Sequence, residues 1–181
     1  AFEITMKGTN SNSVSLAGEF AVLSQLAIRG YDANMTLGQT KSVDILVSAP
    51  ATRKMYKLEV KTNYQKIRKK PQISKVFGKF VSSWFMNKKH EEIKDHDLFY
   101  CFVNIGKPTN IFKFYIVPSK IVSKYVREEH KHWLDEKKKE GKKVKDCEMR
   151  IFRMGLKGET YIVRSTPKTE DYEDNWKFKT L

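Results

Sequence analysis

The chain has 181 residues, of which 40% are hydrophobic and 31% charged, and its 35 Lys plus Arg against 21 Asp plus Glu leave a formal net charge of +14. That composition suits one domain with a real core; it excludes a disordered chain and, with no apolar run near the ~18–20 residues needed to cross a bilayer, a helical membrane protein. The positive excess points to a polyanionic partner. The opening residues carry no signal-peptide pattern. The two cysteines, Cys101 and Cys147, are far apart and fit no metal-ligand spacing. The expectation is a cytoplasmic protein with reduced thiols, Cys101 serving as a small core residue.

Residues 1–12 read as an extended polar lead-in. A helix is predicted from Ser13 or Ser15, as its cap, to about Arg29, with Gly30 as its stop. Leu16, Phe20, Leu23 and Ala27 recur at helical spacing and form its expected apolar stripe. Glu19 lies about 60° from Leu16 at the ~100° per residue of an α-helix. From that edge it is either solvated or able to reach a site above the sheet on which the helix rests. Asp32 to Met35 suggests a short strand.

Val43 to Ser48 and Met55 to Val60 are rich in β-branched, aromatic and aliphatic residues, with a turn over 49–54. Alternation puts Val43, Ile45 and Val47 on one face of the first strand and Tyr56, Leu58 and Val60 on one face of the second. That face is wholly apolar and is expected to look into the core. The other face carries Asp44, Leu46, Lys57, Glu59 and Lys61. In the simplest antiparallel register Ser48 faces Met55, Leu46 faces Lys57 and Asp44 faces Glu59. Directly opposed Cβ atoms lie roughly 4.5–5.5 Å apart, where like charges repel. Two carboxylates so placed imply a bound cation or a shared proton; a plain solvated face with Lys57 offsetting the repulsion is the competing reading.

From Val60 to His90 there is no acidic residue, while Lys61, Lys66, Arg68, Lys69, Lys70, Lys75, Lys79, Lys88 and Lys89 fall within it. A basic loop is expected over 66–74, then a helix over 75–87 with Phe77, Phe80, Val81, Trp84 and Phe85 on its core face and Lys75 and Lys79 one turn apart on another side. His90 and His96, flanking Glu91, Glu92 and Asp95, read as a solvated helix end. The almost continuous apolar run 97–104 predicts a strand buried on both faces, and Ile111 to Val117 a further strand. Pro118-Ser119 opens a long helix to about Glu140, ended by Gly141, with Ile121, Val122, Tyr125, Val126 and Trp133 inward. The basic run Lys137 to Lys145, mixed with Glu140, reads as a solvated helix end and loop. His130 and His132 are two apart on this helix and point apart, against a zinc pair. Met149 to Phe152 and Tyr161 to Val163 suggest short peripheral strands, and Trp176 and Phe178 are expected to dock the polar C-terminal segment on the body.

Asp44, followed on the next strand by Glu59-Val60-Lys61, resembles the PD-(D/E)xK nuclease superfamily, which includes restriction endonucleases and archaeal-type Holliday junction resolvases. The resemblance covers about residues 13–117, and Val43 stands where the motif's name has proline. It implies an α/β fold with a restriction endonuclease-like core in the order α-β-β-β-α-β, a central mixed sheet flanked by helices, and a C-terminal helical extension over 118–181, all within one domain. Glu19 matches the extra acidic residue that many members carry in the first helix. The resemblance further implies that Asp44, Glu59, the Val60 carbonyl and Glu19 hold Mg²⁺, with Mn²⁺ as a substitute, a hard cation suited to carboxylate oxygens. Lys61 would orient the attacking water and stabilise developing charge. Asn63 would support the site or contact phosphate, and Lys75, Lys79, Lys88 and Lys89 would neutralise backbone phosphates. The expected activity is metal-dependent hydrolysis of DNA phosphodiesters, RNA being the second candidate substrate; cutting both strands would favour a two-fold dimer. A nucleic-acid-binding module that does not cut, including a decayed nuclease, stays open beside it.

Overall fold

Asn10 accepts the Ser13 amide at 2.8 Å and so caps the first helix earlier than either serine would have. The computed structural model describes residues 10–36, 42–66, 72–155 and 166–180. Their elements in chain order are α1 (Ser11–Ile28), β1 (Asp32–Met35), β2 (Ile45–Ala49), β3 (Lys54–Lys66), β4 (Gln72–Ser74), β5 (Gly78–Phe80), β6 (Ser82–Asn87), a 3-10 turn (Lys88–Glu91), β7 (Leu98–Lys107), β8 (Ile111–Pro118), α2 (Ser119–Lys139), β9 (Met149–Met154) and α3 (Thr169–Tyr172). A five-stranded sheet in the order β1-β2-β3-β7-β8 forms the centre. All its pairings are antiparallel except β3 with β7. The expected class, a mixed α/β domain with helices on both sides of a central sheet, is therefore the one observed.

α1 covers one face of the sheet, but not with the predicted stripe. Gly18, Val22 and Leu26 are buried, whereas Leu16 and Phe20 stand exposed. The cause is a close approach: a Cβ on Gly18 would lie 1.9 Å from Thr62 Oγ1 on β3. Small residues line the side that comes nearest, so counting bulky residues picks the wrong face. Under α1 lie Ile45, Val47, Leu58 and Val60 from the hairpin and Phe99, Cys101, Val103 and Ile105 from β7, closed off by Trp176 and Phe178. The hairpin register is the predicted one, Ser48 with Met55 and Leu46 with Lys57. Val43, expected on that face, instead joins the opposite cluster, because β2 begins only at Ile45 and the alternation does not extend back to it.

The other face of the sheet carries Leu98, Tyr100 and Phe102, against which Trp84, Met86, Phe152, Met154 and the α2 residues Val122, Tyr125 and Val126 are placed. Burial of β7 on both faces is as expected. Glu129 of α2 is also buried, where the Tyr125 hydroxyl and the Arg153 guanidinium of β9 donate to its carboxylate.

The predicted helix over 75–87 is absent, and with it the α-β-β-β-α-β order. Parallel strands need a crossover, and here β4, β5, β6 and the 3-10 turn provide it. Trp84 and Met86 are buried while Phe85 and Asn87 are exposed, a period of two rather than 3.6. The partner that selects this state is β9, far along the chain, with Trp84 opposite Phe152 and Phe85 opposite Ile151. The proposed strand over 161–163 and the basic residues Arg68, Lys69 and Lys70 lie outside the described residues. No helix among the described residues is long and apolar enough to cross a membrane.

Gly18→Ala would raise helix propensity yet drive a methyl group into Thr62. Overfilling costs about 1–3 kcal/mol, so urea unfolding is expected to show a net loss of stability, partly recovered when Thr62→Ala is added. A variant as stable as the parent would show that α1 does not sit this close to β3.

Candidate active site

β3 extends past the end of its hairpin partner. The β2–β3 ladder closes at Ile45 with Leu58, while β3 continues to Lys66 against β7. Asp44 therefore stands one residue outside the ladder rather than in a paired position opposite Glu59. Its backbone N–H still reaches Leu58 O at 2.7 Å, and its Oδ2 accepts the Val60 N–H at 2.6 Å. Within a strand a residue's N–H and C=O point to the same edge, so the Val60 carbonyl shares the edge that Asp44 occupies.

The pleat then aligns Glu59, Lys61 and Asn63 on the sheet face away from α1. Glu59 is 3% exposed. Its Oε1 takes Lys61 Nζ at 2.6 Å and lies 2.9 Å from His90 Nε2. Its Oε2 has no hydrogen-bond partner among the described residues. Burial pushes the nearby Tyr100 phenol far up, and the Glu59 carboxylate adds to that rise by its charge and as a hydrogen-bonding neighbour, although the two groups do not meet with normal hydrogen-bond geometry. Burial also raises the Asp44 carboxyl; the Val60 hydrogen bond, Lys61 and Lys89 oppose the shift, and Glu59 reinforces it. Glu19, half-buried on α1, is raised by burial and then by Asp44, against Lys61. The three carboxylates thus form one electrostatic unit with Lys61 among them.

Other expected members separate. Asn63 Nδ2 donates to Ser82 Oγ at 3.1 Å and to Ser83 O at 3.0 Å, so the side chain ties β3 to β6 instead of facing phosphate. Lys57, expected to offset the carboxylates, pairs with Asp95 at 2.7 Å. Lys88 pairs with Asp146 at 2.9 Å. Lys75 lies in the turn between β4 and β5 and Lys79 on β5, not one turn apart on a helix. Lys89 acts on both Asp44 and His90, and with Lys61 and His90 it lines an open cavity of about 410 Å³. A larger depression of about 810 Å³, between Arg29, Tyr31 and the C-terminal acidic residues, contains none of these groups.

His90 is the residue the sequence reading missed. It is buried, not part of a solvated helix end. Asn87 caps the 3-10 turn, and His90 Nδ1 lies 3.2 Å from the Asn87 N–H and 3.0 Å from Asn87 O. A carboxylate at Nε2 needs a proton there, so in the neutral ring Nε2–H donates to Glu59 and Nδ1 accepts from the Asn87 N–H. The available signal was Asn87 followed three residues later by a side chain able to close a capping box.

The donors fit a hard divalent cation in kind: the Asp44 and Glu59 carboxylates, and the Val60 carbonyl on the edge that Asp44 occupies. Among the described residues no three His, Cys, Asp or Glu side chains converge as a complete metal cluster. Such a set suits Mg²⁺, which binds through one or two carboxylates and keeps waters or substrate phosphates as its other ligands.

No family model matches the chain, and no curated protein matches its sequence. Among solved structures, a bacterial homing endonuclease, I-Ssp6803I, is similar in fold, with a TM-score of 0.51 at 12% identity, covering 93% of this chain and 89% of that one.

Burial first, then Lys61 and Lys89, hold the His90 imidazole down to about 4 from its ordinary 6.5. Between those values the unfolded chain carries the extra proton, so this residue's stabilising contribution is complete above pH 6.5 and is lost as pH falls toward about 4. Asp44 and Glu19, being raised, act with the opposite sign: their contribution is present below the ordinary carboxylate range and lost as pH rises through their raised values. His90→Gln keeps a donor near Nε2 but cannot titrate. Its urea midpoint is expected to fall less than that of the parent between pH 6.5 and 4; parallel curves would remove the imidazole from this account.

Proposed function

We propose that this chain is a metal-dependent endonuclease of the PD-(D/E)xK type that hydrolyses DNA phosphodiester bonds at Asp44, Glu59 and Lys61. The observation that carries the reading is the state of Glu59. One oxygen is shared by Lys61 and His90, and the other is buried near the Tyr100 hydroxyl, neither of the two making a hydrogen bond of normal geometry among the described residues. Buried carboxylate oxygens are as a rule fully hydrogen-bonded, so an oxygen left with only the Tyr100 hydroxyl nearby has room for a further ligand.

Asp44 and Glu59, with the Val60 carbonyl beside them, would hold Mg²⁺ or Mn²⁺, and Glu19 adds negative charge from α1. The bound metal supplies Lewis-acid polarisation of the scissile phosphate and acidifies a coordinated water. Lys61, 2.6 Å from Glu59, presents ammonium protons where the attacking oxygen and the developing phosphorane charge would lie. His90 keeps Glu59 in one orientation without adding positive charge. Lys89 at the cavity wall meets an approaching backbone phosphate, and the net charge of +14 draws the polyanion to the surface. A shared fold with a bacterial homing endonuclease supports the reading of the chain as an endonuclease. Cutting both strands calls for two such sites, so a two-fold dimer belongs to the proposal.

One observation favours a second reading. Lys61 is already engaged with Glu59, beside a site where fewer than three side-chain ligands converge among the described residues, as in a module that binds nucleic acid and has lost cleavage. The two differ in their need for metal.

Purified protein is to be given linear, supercoiled and branched DNA with Mg²⁺ or Mn²⁺ titrated in. Cleavage is expected only with metal and is expected to fall by at least about a hundredfold in Asp44→Ala, Glu59→Ala and Lys61→Ala, a loss in the range seen on removal of one stabilising donor. Each variant should retain the parent's circular dichroism spectrum. Binding that ignores metal, with no cleavage of any form, would transfer the assignment to the binding module.

A further inference from the structure

β6 turns one aromatic ring outward beside the candidate catalytic lysine. Trp84 and Met86 on either side are buried, while Phe85 is 75% exposed. Phe85 lines the same cavity as Lys61 and Lys89. Across the ribbon its register partner is Ile151, half-buried. An exposed phenyl group lining one cavity with two ammonium groups, next to a cluster suited to phosphate chemistry, is a combination that plain side-chain packing does not need.

The ring's place is fixed from both directions along the chain. Before it, Ser82 Oγ accepts from Asn63 at 3.1 Å and Gln65 at 2.8 Å, and Ser83 O from Asn63 at 3.0 Å. Trp84 Nε1 donates to Val103 O at 2.9 Å. After it, Asn87 caps the turn that carries His90 onto Glu59. Phe85 is therefore held relative to Lys61 by bonds to β3 and β7, and a ligand meeting it need not order the strand first.

We infer that Phe85 is a base-stacking subsite: its ring takes the open face of a nucleobase next to the phosphate held by Lys61 and Lys89. The inference rests on the nucleic-acid reading of the same site and specifies its substrate. In an intact duplex both faces of every internal base are covered by neighbours. A base with an open face occurs in single strands and where a strand is interrupted, as at a flap, a nick or a branch. Aromatic platforms beside cationic grooves are the usual way proteins hold such bases. The site accordingly selects DNA carrying an unstacked base over continuous duplex.

The test is equilibrium binding by fluorescence anisotropy, with chelator present so that nothing is cut. It uses a 5′-flap oligonucleotide and an intact duplex of the same sequence. The parent is expected to bind the flap more tightly. Phe85→Ala should weaken flap binding by about tenfold or more and leave duplex binding within about twofold, with Phe85→Trp restoring the preference. Lys89→Ala should weaken both substrates alike and lower the salt slope by about one. Because the side chain is largely solvent-exposed, Phe85→Ala should fold with an unchanged unfolding midpoint. Equal losses on both substrates, or no loss on either, would overturn the subsite; so would a drop in sedimentation mass of the variant, which would mean that a second copy of the chain covers the ring. A parallel Mg²⁺ cleavage assay separates the two ideas. Flap selectivity that depends on Phe85 without cleavage keeps the subsite and sinks the nuclease; cleavage unaffected by Phe85→Ala on either substrate does the reverse.

Discussion

A carboxylate taken into a protein interior is costly unless it is paired and hydrogen-bonded, and the burial of Glu59 governs much of this molecule. Its Oε1 is met by Lys61, two residues on along β3, and by His90, which arrives from the crossover between β3 and β7. The first partner costs nothing in topology, because the pleat of one strand supplies it. The second requires that the crossover end in a short capped turn at this point. The neutral state of His90 matters as much as its position. It donates a hydrogen bond without cancelling charge, so among the described residues the positive charges that act on Glu19 and Asp44 are those of Lys61 and Lys89. A spot able to attract a cation thus persists inside a strongly basic protein, beside the surface that attracts a polyanion.

The second constraint is the mismatch in length between β2 and β3. Had the hairpin been flush, Val60 would have bonded to a backbone neighbour, and Asp44 would have faced Glu59 across a ladder. Because β2 begins at Ile45, the Asp44 side chain takes the Val60 N–H instead. Among the described residues no strand continues β2 along the edge where the carboxylates gather. α1 can bring Glu19 to the same edge because Gly18 allows it to lie almost on Thr62.

The far side of the sheet serves rigidity. Arg153 of β9 lies over Phe77 at 4.0 Å from the ring centroid and over Phe80 at 5.1 Å while it reaches Glu129 on α2. These contacts join the β4–β5 hairpin, β9 and α2 into one support for β6. The wall of the candidate site thereby becomes a sheet edge with fixed side chains rather than a helix face, and Phe85 is presented rather than buried.

By itself the sequence determined the features that depend on neighbours along the chain: the hairpin and its register, the double burial of β7, the span of α2, and the alignment of Glu59 with Lys61. Strand alternation sets all of these locally, or, for α2, helical spacing does. It misassigned 75–87 because aromatics spaced for a helix are equally good strand formers, and β9, remote in sequence, decides between the two. It misplaced the buried face of α1 because the side of closest approach is lined by glycine and alanine, which carry little hydrophobic signal. It missed His90, and left Asn63 between supporting the site and contacting phosphate, because those roles are set by strands that meet only after folding. The chemical types at the site were thus written in the chain; which of them are brought together, and which instead clamp the scaffold, was decided by tertiary contacts between segments that no local period relates.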